Sequence, residues 1–318
     1  WNGDLVIPLE RGSYKERNNR MSDAPSSVVI LGLARQGTAL ARFFAARGAD
    51  VTISDIRDAD KLRAEMAALE EEGLSIRYVL GEHPSTLLDD CDLLCLSGGV
   101  PLDLPIVAAA RERGIPLSND AQEFVARCPA PIVGITGSAG KTTTTTLVGK
   151  MLEAEGFTTW VGGNIGNPLL NELPNIDFDN RVVMELSSFQ LDLMSVSPEV
   201  AGVLNITPNH LDRHKTMAAY VAAKRNIVAH QGPEDVAVLG FDEPNARALA
   251  ESTPAAVRYF SALEAAEADV FLHDDALMLC SAGGLTEVCT RDTLQLRGFH
   301  NVLNVLAAIA LADEAGAS

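Results

Sequence analysis

Lysine, threonine and glycine gather at residues 134–143, which read Gly-Ile-Thr-Gly-Ser-Ala-Gly-Lys-Thr-Thr. This is chemistry for a triphosphate. Glycines let the backbone turn its N–H groups toward phosphate oxygens, and a following helix N-terminus adds partial positive charge. Lys141 is placed to reach β- and γ-phosphates and Thr142 to hold Mg²⁺. Gly137, Ser138, Ala139, Gly140 and Thr143 complete the cradle. The usual loop has glycine six residues before the lysine, but position 135 is Ile. Gly134 lies one residue further back, and Gly137 is an extra glycine. The plain alternative is an ordinary Gly-rich turn; Gly-Lys-Thr between a strand and a helix argues against it.

Further polar residues follow the loop. Gly162-Gly-Asn-Ile-Gly166 is a flexible turn in which Asn164 could read a ligand. Met184-Glu-Leu-Ser-Ser-Phe-Gln190 puts Glu185 near a strand end. A carboxylate in the same sheet as a P-loop is placed to hold Mg²⁺. Asn205-Ile-Thr-Pro-Asn-His-Leu-Asp-Arg-His214 packs His210, Asp212, Arg213 and His214 onto a strand-to-helix corner. Lys224 stands in a helix between small apolar neighbours; on its own it reads as a surface lysine laying its stem along the helix. Gly32-Leu-Ala-Arg-Gln-Gly37, with Asp55 about twenty residues on, is similar to a dinucleotide fingerprint. Ala34 replaces its middle glycine, which weakens the dinucleotide reading. A nucleotide read by Asp55 or Arg57 remains open, as does a tight turn without a ligand.

These groups need strands ending in loops. Val28-Val-Ile-Leu31 predicts a buried strand, followed by a helix with Leu40, Phe43 and Phe44 on one face. Strands are expected at 51–53, 92–96 and 115–117, and helices at 58–73 and 103–113. Such alternation predicts a parallel, doubly wound sheet. A second α/β unit is expected from Ile132, after the linker Cys128-Pro-Ala-Pro131. Its strands fall near 158–161, 181–186, 200–206 and 236–239, with a helix near 216–230. Short strands turning at Gly283-Gly284 and a last helix over 300–314 complete it.

Composition narrows the partners. The net charge of −18 argues against nucleic acid or an anionic membrane. It leaves phosphate ligands open, because a local loop binds anions within an acidic protein. The five cysteines are scattered; Cys91 and Cys95, in an apolar run, are expected to be reduced core residues of a cytoplasmic protein. No apolar stretch is long enough to span a membrane. Residues 1–20 are polar and aperiodic and read as a disordered extension or artefact. The units are expected at 21–127 and 128–318.

Together these residues resemble the Mur ligase family, ATP-dependent amide-forming enzymes of peptidoglycan precursor synthesis. Gly-x-Thr-Gly-x-x-Gly-Lys-Thr-Thr is that family's form of the loop. Gly298-Phe-His-Asn-Val-Leu-Asn304 is similar to its adenine-side motif. Gly-Gly-Asn-Ile-Gly and Glu-Leu-Ser-Ser-Phe-Gln-Leu look like the members that add D-glutamate to UDP-N-acetylmuramoyl-L-alanine. The resemblance covers about Val28 to Asp313. It implies a Rossmann-like UDP-binding domain followed by a P-loop ATPase domain. It also implies that the alanyl carboxylate attacks the γ-phosphate of ATP and that the D-glutamate amine attacks the resulting acyl phosphate.

Residue roles follow from the same resemblance. Lys141, Lys224, His210 and Glu185 would be catalytic. Thr142, Glu185, His210 and Lys224, as a carbamate, would hold two Mg²⁺. Asn301 and Asn304 would contact adenine. Arg35, Gln36, Asp55, Arg57, Ser97, Asn164 and Ser187 would bind the UDP-sugar, so the turn at Gly32 takes UDP instead of NAD. Ala34, and Gly98 at a position where proline is common, depart from the pattern. A monomer is expected. The family carries a third, C-terminal domain, so this chain alone is expected to be inactive, and a nucleotide-binding module without ligase activity is the competing reading. A P-loop kinase or GTPase is disfavoured by the lack of Asn-Lys-x-Asp.

Overall fold

The structure, a computed structural model, describes residues 25–263, 267–281 and 284–317. The expected extension at 1–20 and the turn residue Gly283 lie outside them. Two sheets carry the chain. The first is five-stranded: β1 (Ser27–Leu31), β2 (Asp50–Asp55), β3 (Ile76–Leu80), β4 (Leu93–Leu96) and β5 (Leu117–Ser118), in the order β3-β2-β1-β4-β5. All its pairings are parallel. Helices α1 (Arg35–Ala45), α2 (Ala59–Glu71), α3 (Pro105–Glu112) and α4 (Asp120–Val125) connect or follow the strands.

Strand order reverses at β1, between β2 and β4. In open parallel sheets a crevice forms beyond the strand ends at such a point. Here the loops after β1 and β4 face each other, bringing Gly32 against Ser97. β3 and α4 were not read from the sequence. β3 is only half-buried and carries Arg77 and Tyr78 within its apolar run. α4 is six residues long, too short for helical periodicity to show.

The second sheet has nine strands, in the order β14-β13-β12-β11-β10-β9-β6-β8-β7. They are β6 (Ile132–Thr136), β7 (Thr159–Gly163), β8 (Arg181–Glu185), β9 (Val200–Val203), β10 (Val236–Gly240), β11 (Ala256–Ser261), β12 (Val270–His273), β13 (Ala276–Ser281) and β14 (Gly284–Thr290). β7 to β12 pair in parallel; β13 and β14 add an antiparallel edge. β9 ends at Val203, short of the predicted 206. The chain beyond it runs on to Asn205, whose carbonyl takes the N–H of Ser138 at 2.9 Å.

β6 is a buried Ile-Val-Gly-Ile-Thr run, flanked by β8 and β9. The P-loop therefore leaves the sheet at a second reversal of strand order. Helices α5 (Lys141–Ala154), α6 (Ser188–Leu191), α7 (Leu211–His214), α8 (Met217–Ala229), α9 (Pro244–Arg247) and α10 (Phe299–Glu314) follow in this unit. Ten of the sixteen residues of α10 are buried. A helix apolar on nearly every side must lie inside the protein; this one packs beside α5 and under β9 to β13. Cys91, Cys95 and Cys128 are buried cysteines outside any disulfide. No helix among the described residues is long and apolar enough to cross a membrane.

Candidate active site

Loop 137–140 joins β6 to α5. Gly140 caps the helix at φ 87°, a conformation that favours glycine. A Cβ there would stand 2.1 Å from Oδ1 of Asn304. Asn205 braces the loop from the end of β9: its Oδ1 accepts from the N–H groups of Ser138 and Ala139 at 3.1 and 3.0 Å. The Ser138 hydroxyl donates to the Thr207 carbonyl at 2.8 Å and lies 3.1 Å from that of Tyr220. Lys141, in the first turn of α5, folds back and donates to the Gly137 carbonyl at 3.0 Å.

Glu185 ends β8 and is 2% exposed. Its Oε2 accepts from the Thr142 hydroxyl at 2.7 Å and its Oε1 from Nδ2 of Asn164 at 2.9 Å. The Gly-Gly-Asn turn makes the second contact possible. Gly163, at φ 99°, has the Glu185 carbonyl 2.4 Å from where a Cβ would stand. Asn164 then reaches Glu185 through its backbone N–H as well, at 2.9 Å to the carbonyl.

Lys224 projects from α8 and is 1% exposed, not a surface lysine. Its Nζ donates to the Thr136 hydroxyl and the Gly137 carbonyl, each at 3.0 Å. Burial lowers its pKa to about 7, the Lys141 ammonium adds to the shift, and Glu185 opposes it. Burial lowers Lys141 as well.

His210 stands at the corner before α7 with a left-handed φ of 54°. Its ring meets Phe189 edge-on at 5.2 Å. His214 stacks flat on Phe189, and its Nε2 lies 2.9 Å from the Ser188 hydroxyl. Ser187 caps α6 in a reciprocal pair with Gln190. Among the described residues no three His, Cys, Asp or Glu side chains gather at metal-binding distance.

At the first sheet, Asp55 accepts from the Leu33 N–H at 2.7 Å and pairs with the Arg57 guanidinium at 2.7 Å. Arg57 also donates to the Leu33 carbonyl at 2.9 Å. Burial raises the Asp55 pKa, but Arg57 and the Leu33 N–H outweigh it and hold the carboxyl at about 2. The two residues thus brace the turn after β1. Gln36 accepts from the Gly98 N–H at 2.7 Å, and Arg35 crosses to the Gly166 carbonyl at 2.7 Å. Arg35, Gln36, Ser97 and Asn164 line one cleft of about 150 Å³ between the sheets.

Asn304 lines another pocket, of about 160 Å³, with Ala139, Gly140, His300 and Phe260. Asn301 accepts from Asn304 Nδ2 at 3.0 Å and donates to the Arg297 carbonyl at 2.7 Å, so it orients its neighbour. Asn205, Tyr220 and His300 were not singled out from the sequence. Only the meeting of β9, α8 and α10 around the loop marks them.

The model of the Mur ligase middle domain matches residues 135–312, more than half of the chain. The chain belongs to the Mur ligase family. The model of the Mur ligase MurD-like N-terminal domain matches residues 26–119. A UDP-N-acetylmuramoylalanine–D-glutamate ligase of Acetivibrio thermocellus is 41% identical over 89% of this chain and 60% of its own length. The ligase of the same description from Symbiobacterium thermophilum is 43% identical over 91% and 63%. The chain thus spans about three-fifths of the length of these relatives. A UDP-N-acetylmuramate:L-alanyl-γ-D-glutamyl-meso-diaminopimelate ligase from Neisseria meningitides has the same fold, with a TM-score of 0.58 at 20% identity, covering 92% of this chain and 94% of that one. UDP-N-acetylmuramate–alanine ligase from Thermotoga maritima gives 0.52 at 23% identity, over 91% and 65%. In this Mur ligase chain Glu185 hydrogen-bonds both Thr142, at the start of α5, and Asn164 of the inter-sheet cleft.

Proposed function

We propose that the chain is the nucleotide- and UDP-sugar-binding part of an ATP-dependent ligase joining D-glutamate to UDP-N-acetylmuramoyl-L-alanine. One observation carries the reading. The Glu185 carboxylate holds Thr142 of the P-loop with one oxygen and Asn164 of the cleft with the other. A phosphate donor on the loop and a carboxylate acceptor in the cleft then meet at one residue. The relatives named as D-glutamate ligases supply the substrates. The same likeness favours a ligase over a binding module.

The steps need positioning and charge neutralisation. The N–H groups of 137–143 and Lys141 hold the β- and γ-phosphates. Asn304 borders the adenine pocket. The alanyl carboxylate attacks the γ-phosphorus, the bond to the β–γ bridging oxygen breaks, and ADP leaves. The amine of D-glutamate then attacks the acyl phosphate, and phosphate departs with the proton lost to solvent.

Mg²⁺ fits the donors present. Thr142 and Glu185 offer hard oxygens side by side, which suits an ion that takes its remaining ligands from phosphate and water. Bound there, the ion would neutralise charge on the transferring phosphoryl group. His210 and Lys224 are assigned to a second ion. Lys224 supplies a buried amine whose pKa of about 7 leaves much of it neutral, as CO₂ requires. The neutral amine adds to the CO₂ carbon, forming an N–C bond as one C=O π bond opens to an oxyanion; nitrogen releases one proton, and the amine becomes an anionic oxygen ligand. Cytoplasmic action is part of the same reading.

Trapping tests the acyl phosphate. With ATP, Mg²⁺ and UDP-N-acetylmuramoyl-L-alanine, hydroxylamine in place of D-glutamate should yield the alanyl hydroxamate. Hydroxamate formed without ATP, or none in an enzyme active with D-glutamate, contradicts the intermediate.

A further inference from the structure

The seam between the two sheets contains a carboxylate that none of these steps uses. Asp120, at the start of α4, is 2% exposed. Its neighbour Asn119 caps α4 and donates its Nδ2 to the Gln190 carbonyl at 2.8 Å, which ties α4 to α6. Two glutamines converge on Asp120. Nε2 of Gln190 lies 3.5 Å from each carboxylate oxygen. The Gln36 side chain is a further donor that favours the ionised form of the same group.

Both carboxamides are already committed at their other end. Oε1 of Gln36 accepts from the N–H of Gly98 at 2.7 Å. Oε1 of Gln190 accepts from the N–H and hydroxyl of Ser187 at 3.1 and 3.0 Å. Each glutamine therefore has only N–H left to offer inward, and the group between them must accept from both sides. A carboxylate does this with both oxygens; an amide in the same pose sets its own N–H against Nε2 of Gln190, which faces both oxygens equally.

We propose that Asp120 is a positioning residue for the UDP-sugar. Its carboxylate locks Gln36 and Gln190, and through them fixes loop 97–99 and Ser187 on the two sides of the inter-sheet seam. The inference rests on the UDP-sugar reading given above. It also accounts for glycine at 98. Proline would lack the N–H that Gln36 needs, and a Cβ at 98 would stand 2.5 Å from Oε1 of Gln36.

A swap cycle tests it. Asp120→Asn leaves one N–H pair unmatched, and Gln190→Glu sets two carboxylates together. The double substitution restores the match: the new amide donates to the new carboxylate, whose other oxygen still serves Ser187. Calorimetry with UDP-N-acetylmuramoyl-L-alanine should show each single variant about 10-fold weaker or more. The double variant should return to within about 3-fold of the parent. Mg-ATP affinity should hold in all four proteins. Parent-like binding by Asp120→Asn, or a double variant no tighter than the singles, overturns the proposal. If the singles do not fold, the double must fold and bind; an unfolded double also overturns it. The same cycle read in thermal stability, without ligand, must show favourable coupling between the two positions. A parent chain that fails to bind the UDP-sugar contradicts the proposed function, while the thermal cycle still decides the contact.

Discussion

Lys141 and Lys224 donate to the same acceptor, the carbonyl of Gly137, each at 3.0 Å. Two lysine side chains donating to one carbonyl beside the P-loop make a donor-rich site suited to an anion. A triphosphate supplies it and gives Lys141 a stronger partner than a carbonyl. We therefore expect Lys141→Ala to lower phosphate release by about 100-fold or more and to leave UDP-sugar affinity unchanged. Near-normal turnover in that variant would remove the loop from the mechanism.

Glu185→Gln tests the bridge between the two ligands. The amide can still accept from Asn164 or Thr142, but it carries no charge for Mg²⁺. The expected loss is about 10-fold to 100-fold in turnover, with a raised Mg²⁺ requirement. UDP-sugar affinity should change less than about 3-fold, since Asn164 keeps an acceptor. A magnesium dependence identical to the parent's would place the ion elsewhere.

The brace at the first turn gives a pH signature. Asp55 is held at about 2, below its ordinary 3.8. A depressed carboxyl pKa adds stability that is present above about pH 4 and lost as pH falls through about 2. Arg57 is 38% exposed at its side chain, so screening reduces the effect. We expect Asp55→Asn to cost about 1–2 kcal/mol at pH 7. Unfolding curves of parent and variant should converge between pH 4 and 2. A gap that persists at pH 2 assigns the cost to packing.

Gly140→Ala should cost more than any other single methyl group added to the loop. The position has φ 87°, and the new carbon meets Oδ1 of Asn304. Strain of about 1–2 kcal/mol comes with displacement of the pocket's asparagine. Pairing it with Asn304→Ala should relieve the collision but not the strain, so thermal stability recovers only in part. Full recovery would show that the left-handed backbone costs nothing there.

What was legible in the sequence was local. The Gly-Lys-Thr loop, β6 and α5 follow from spacing and apolar runs within a short segment. Glu185 was legible because it ends an apolar strand in the same unit. Lys224 was not: a lone lysine among alanines reads as surface, and only the packing of α8 under Thr136 and Gly137 buries it. Asn205 and Asp120 were silent for the same reason, since Ala139 lies 66 positions from Asn205 and Gln190 lies 70 from Asp120. Asp55 and Arg57 were read as ligand contacts, whereas the structure joins them first to each other and to Leu33. The antiparallel edge from β12 to β14 was legible only as short strands and turns, because register and pairing direction depend on distant neighbours.

The central claim, a ligase specific for D-glutamate, is tested most directly by phosphate release from the protein as its host expresses it. With ATP and Mg²⁺, release should require UDP-N-acetylmuramoyl-L-alanine and D-glutamate together and yield one amide product per phosphate. Equal turnover with L-lysine or meso-diaminopimelate in place of D-glutamate would contradict the account.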